Sequence, residues 1–130
     1  MNSVQRKLIV FAPIIALTLL FSSALTFAHA FQNSQNASLV LGQPNFTSGN
    51  GNTSQSALST LGHVRFDSSG NLWVADSGNN RVVEYKAPFT NGESASLVIG
   101  QTNFTSKGGS TTAATFSDPI GIAFDSSGNL

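Results

Sequence analysis

The sequence predicts an all-β fold made of propeller-type blades, each of four antiparallel strands, preceded by an N-terminal signal helix. Three observations carry this. Ala37-Ser38-Leu39-Val40-Leu41-Gly42-Gln43-Pro44-Asn45-Phe46-Thr47-Ser48 returns as Ala95-Ser96-Leu97-Val98-Ile99-Gly100-Gln101-Thr102-Asn103-Phe104-Thr105-Ser106, an offset of 58 residues. Phe66-Asp67-Ser68-Ser69-Gly70-Asn71-Leu72 returns at the same offset of 58 as Phe124-Asp125-Ser126-Ser127-Gly128-Asn129-Leu130. Within one period, short β-branched and aromatic runs alternate with Ser, Gly and Asn clusters, the mark of strands joined by turns. Self-similarity at a fixed period marks a solenoid, a propeller or an array, and four strands per period is the content of one propeller blade.

Composition narrows the class further. At 130 residues the chain fits one modest domain, and with no cysteine it has neither a disulfide framework nor a thiolate metal site. Six basic residues balance six acidic ones at only 9% charged, which argues against nucleic acid as a partner.

Residues 1–30 read as a signal peptide. Arg6 and Lys7 precede an apolar run from Leu8 to Phe21, and Ala28-His29-Ala30 supplies the small-x-small pattern of a cleavage site, leaving Phe31 first. The alternative is a membrane anchor over residues 8–28, since Ser22 to Ala28 extends the run toward the roughly 20 residues that span a bilayer. The chain is therefore expected to be secreted or on the cell surface, touching a membrane only if this segment stays uncleaved. After cleavage, four basic residues face six acidic ones, a formal charge of −2.

Residues 31–36 form a short linker, and 37–130 hold the repeats. Val64 to Asp67 is expected as the first strand and Ser68 to Asn71 as a turn, with Gly70 supplying positive φ. Leu72 to Asp76 is the second strand, Ser77 to Asn80 a turn, and Arg81 to Lys86 the third strand. A loop from Ala87 to Ser94 leads to a fourth strand at Ala95 to Ile99. Trp73-Val74-Ala75 and Val82-Val83 place apolar side chains on both faces, as expected of a sheet packed between neighbours. Ala37 to Leu41, matching the fourth strand, is expected to complete the last blade of a ring.

Ile120 to Leu130, completed by Leu72 to Tyr85 of the first copy, resembles the NHL repeat. The resemblance covers most of the chain from about Leu61 onward. It implies a β-propeller, commonly six-bladed, of which the chain holds about two partial blades. The Leu-Gly-Gln-x-Asn-Phe-Thr block resembles a long-period subset found in exported prokaryotic proteins. The sequence stops at Leu130 inside a hairpin, so it is read as a fragment of a longer protein; a truncated product or an assembly of several chains are the alternatives.

Few residues stand out for chemistry. Asp76 and Arg81 flank Ser77 to Asn80 and are expected to form a turn-locking ion pair. His63, Asn79, Asn80 and Asp118 are the candidate ligand-facing residues: His63 and Asp118 stand where the other copy has Gly121 and Thr60, and the asparagines offer both donors and acceptors. Asp67-Ser68-Ser69-Gly70-Asn71 and its copy at Asp125 hold one carboxylate each, whereas calcium collects roughly 6–8 oxygens, so a hairpin turn is the reading preferred. Asn36, Asn45, Asn52 and Asn103 fit the glycosylation pattern, though Asn45 and Asn103 are read as turn residues, with Phe46 and Phe104 anchoring the connectors. No catalytic residue, metal site or cofactor is expected.

The function expected is that of an exported, non-catalytic binding or scaffold module, its partner a protein or glycan. The alternative comes from the resemblance: some relatives are lyases and others with similar rings are metal-dependent hydrolases, so catalytic residues would lie in blades beyond this fragment. RNA recognition, known in some cytoplasmic relatives, conflicts with the export signal and the acidic mature charge.

Overall fold

The computed structural model describes residues 32–49 and 51–130, so the signal segment and Phe31 lie outside the described residues. All that follows concerns the compact unit from Ser34 to Leu130. Four strands, β1 (Leu61–Phe66), β2 (Leu72–Asp76), β3 (Arg81–Tyr85) and β4 (Leu97–Ile99), form one antiparallel sheet in the order of the chain. A four-stranded meander of this kind is consistent with one propeller blade.

Each hairpin closes for a local reason. Between β1 and β2 the Asp67 carbonyl accepts from Gly70 N–H at 3.1 Å, and Gly70 takes φ 83°, a left-handed conformation that a side chain resists. Asp67, expected inside the strand, belongs to this turn: its N–H donates to the Asn71 carbonyl and its Oδ1 accepts from Ser69 and Asn71 N–H. Between β2 and β3, Ser77–Asn79 make one 3₁₀ turn that Asn80 ends with φ 52°. β1 starts earlier than expected, at Leu61. A bulge between Leu61 and Val64 lets His63 N–H leave the ladder for the Ile120 carbonyl at 2.8 Å. β4 starts later, because Ala95 N–H donates to the Gln55 carbonyl in the preceding connector.

Register sorts the side chains onto two buried faces. Leu72 opposite Tyr85, Val74 opposite Val83 and Asp76 opposite Arg81 share one face, packed with Leu58, Ala95 and Phe104. Trp73, Ala75, Val82 and Ile99 share the other, where Ile122, Phe116 and Phe124 of the second copy cover them. Fully burying each such valine contributes about 1.5–3 kcal/mol. The Tyr85 hydroxyl is buried without a hydrogen-bond partner, and burial pushes its pKa up to about 12.

The period of 58 is structural as well as sequential. Leu58 N–H donates to the Gly42 carbonyl and Phe116 N–H to the Gly100 carbonyl, while bridges at Ser54–Ala57 and Thr112–Thr115 close the two connectors alike. Both glycines have positive φ, and a Cβ would fall 2.3 Å from Leu58 and 2.2 Å from Phe116. A wedge residue thus folds back over glycine in each copy.

Two segments that copy strands of the blade form no ladder among the described residues. Ala37 to Leu41, the copy of β4, is not a strand there, and Val40 instead bonds the Asn91-Gly92 loop. The copy of β1 at 119–124 is likewise no strand, since its β2 partner would begin only at Leu130. Phe104 packs on the first face as an anchor should, whereas Phe46 is 49% exposed with no described sheet beneath it.

Candidate functional site

The residues singled out at the β2–β3 end meet in one network, because the connectors on either side of the blade converge there. Arg81 Nε donates to Asp76 Oδ2 at 2.8 Å, with both side chains essentially excluded from solvent. The guanidinium also donates to three carbonyls: Ser54 at 3.0 Å and Ala57 at 2.7 Å in the preceding connector, and Phe104 at 2.6 Å in the following one. Asp76 Oδ1 accepts from Ser59 N–H at 2.8 Å and its Oδ2 from Asn79 Nδ2 at 2.8 Å. A buried charge survives only when paired and hydrogen-bonded, and here each polar atom has its partner.

The flanking asparagines divide the work. Asn79, 2% exposed, faces the preceding connector: Nδ2 donates to the Asn52 carbonyl and Oδ1 accepts from Thr53 Oγ1. Asn80 faces the following one: Nδ2 donates to the Lys107 carbonyl, and Oδ1 accepts from Asp118 N–H at 2.8 Å. Its own carbonyl takes the Gln101 amide. Asn80 and Asp118, both at positive φ, are thereby brought together as a clasp between turn and connector. The Asn80 amide is taken up by the two connector backbone groups, while Asp118 joins through its N–H and keeps its side chain exposed.

His63 is exposed on β1, and its backbone N–H, donated to the Ile120 carbonyl, ties it to the second copy. Asn45 and Asn103 have the same geometry: in each, Oδ1 accepts from the N–H and hydroxyl of both the Thr and the Ser that follow. Asn52 Oδ1 accepts from Thr53 N–H at 2.7 Å, and Asn36 is exposed. Among the described residues no three His, Asp or Glu side chains gather as a metal-holding group, and no helix is long and apolar enough to cross a membrane.

Against known families, residues 63–85 match the NHL repeat, from the bulge in β1 to the end of β3. The chain carries an NHL repeat. No curated protein and no solved structure matches it.

The other end of the NHL repeat holds a feature that sequence reasoning passed over. There the Asp67 carboxylate accepts from the Trp73 indole Nε1 at 3.0 Å and from Asn71 Nδ2 at 2.9 Å. These donors, Trp73 first, hold its pKa down to about 2. Asp125 repeats the turn bonds, with Asn129 Nδ2 at 2.8 Å, and is also lowered, chiefly by Asn129. Between the two turns lies a cleft of about 450 Å³. Its signal in the sequence was the recurrence of Phe-Asp-Ser-Ser-Gly-Asn-Leu, which placed two equivalent turns side by side.

Proposed function

We propose that this chain is part of an exported NHL-repeat propeller, of the six-bladed kind the repeat commonly builds, acting as a non-catalytic binding or scaffold module. One observation carries the reading. The charged and amide side chains at the β2–β3 end are spent on holding two connectors together, which leaves the connector surface itself as the part free to engage a partner. Residues 107–114 of that surface are all exposed and, beyond Lys107, carry no charge, and their Ser and Thr hydroxyls and backbone can hydrogen-bond a protein or glycan. Loops set on a rigid scaffold are where binding usually sits.

The leader over residues 1–30 supports export. N-terminal sequencing of protein recovered from the medium of an expressing bacterium should begin at Phe31; a chain still starting at Met1 in the membrane fraction would replace export with anchoring. For binding, the secreted chain would be passed over immobilised glycans and extracellular matrix proteins. Retention that Ser110→Arg and Thr111→Arg abolish, and that Ser68→Arg at the far end does not, supports the rim. Retention indifferent to the rim substitutions, or conversion of the retained material into product, overturns the reading.

A further inference from the structure

The cleft between the two Asp-Ser-Ser-Gly turns lies at the end of the strands away from the connectors, so nothing in the rim reading depends on it. Two rings line it beside the serines of both turns: Trp73 and Phe124 meet edge to face, centroids 5.8 Å apart and planes at 74°, while the Phe66 ring lies on the other face of the sheet against Phe89. The indole is held in place by its bond to Asp67. Both Asp67 and Asp125 line the cleft, and no Lys, Arg or His does.

We propose that this cleft binds an organic cation of the quaternary or methylated ammonium class. Ring faces attract such a cation through their quadrupole, most strongly for Trp, and two carboxylates in the same cleft add long-range attraction while opposing anions. A volume of about 450 Å³ admits a small ligand and is within the ordinary range for such sites. A bare metal ion suits it poorly, because rings are not ligands and Asp67 oxygens already accept four N–H bonds. The ammonium head would set its methyl groups against the Trp73 and Phe124 rings and its charge toward the carboxylates.

Trp73 is the only tryptophan, so its emission reports on the cleft directly. The full chain would be titrated at constant ionic strength with choline, with its uncharged carbon isostere 3,3-dimethylbutan-1-ol, and with maltose. A saturable response to choline, at least about five-fold weaker for the isostere, is expected. Phe124→Leu should weaken choline about three-fold, the worth of one ring contact. Asp125→Asn should weaken it similarly, since Asn keeps the Oδ1 acceptor that the turn uses while removing the charge. Ser110→Arg at the connector rim should leave it unchanged. Equal response to choline and the isostere, saturation by maltose alone, no response, or choline affinity untouched by both cleft substitutions would each overturn the proposal. If circular dichroism shows one cleft variant unfolded, the other and the comparison of choline with its isostere decide.

Discussion

Val64 and Ile122 hold the same place in successive copies of the repeat, yet Val64 is 46% exposed and Ile122 only 6%. The ladder does not explain this, since Val64 sits in β1 opposite Val74 while Ile122 belongs to no strand. What differs is the neighbour. Ile122 lies against Ala75 and Val82 on the face of the preceding sheet, and no described sheet stands before Val64. The turns behave oppositely: Asp67 and Asp125 make matching bonds whether or not strands flank them. Turn geometry is thus local, whereas burial of the first strand comes from the adjacent copy, the additive, nearest-neighbour stability of repeat architectures.

The largest effect should follow from breaking what joins the copies. Arg81→Met strands the buried Asp76 charge and strips three connector carbonyls of their donor, so a loss of about 3–5 kcal/mol is expected in denaturant unfolding. The double change with Asp76→Asn should cost less than Arg81→Met alone, because no unpaired charge then remains. Next comes the pair that opened the comparison. Ile122→Ala should cost about 2–5 kcal/mol, while Val64→Ala should stay within about 0.5 kcal/mol. Equal losses at the two positions would mean that burial at Ile122 does not depend on the preceding sheet.

A smaller asymmetry is expected at the wedges. Gly42→Ala and Gly100→Ala both force a Cβ into a left-handed position and into a neighbour, for about 1–3 kcal/mol each in thermal unfolding. The loss should be greater at Gly100, because the Phe116 ring is rigid where the Leu58 side chain can swing. Identical losses would show that backbone conformation alone sets the cost.

How much of this could be read in the sequence follows the same division between local and distant. The strand from Leu72 to Asp76 and the positive φ of Gly70 were legible because each depends on a few neighbouring residues. The Asp76–Arg81 proximity was legible for the same reason, but not the reach of Arg81 to Ser54, Ala57 and Phe104, which requires two connectors to arrive at one turn. Ala37 to Leu41 forms no ladder among the described residues, because a strand is a property of a pair and sequence similarity to β4 supplies only one member. The aromatic cleft was missed although Phe124 was seen to copy Phe66, since what matters is Phe124 meeting Trp73 from the other repeat.

The finest test compares the two turns by pH. Asp67 falls from an ordinary 3.8 to about 2, led by the Trp73 indole, which donates to it across the hairpin. Because its proton binds more weakly in the fold than in the unfolded chain, the stabilisation is complete above about pH 4 and disappears as pH falls through about 2. Asp125 shifts the same way but among the described residues has no indole donor, Asn129 leading instead. Unfolding midpoints taken at about pH 5 and about pH 2.5 should therefore drop in the unaltered chain, and the drop should shrink more in Asp67→Asn than in Asp125→Asn. Trp73→Phe, which removes the indole donor but keeps a ring, should bring the acid response of the first turn toward that of the second. If Asp67→Asn leaves the pH dependence unchanged, the acid sensitivity arises elsewhere and the indole bond contributes nothing to the difference between the copies.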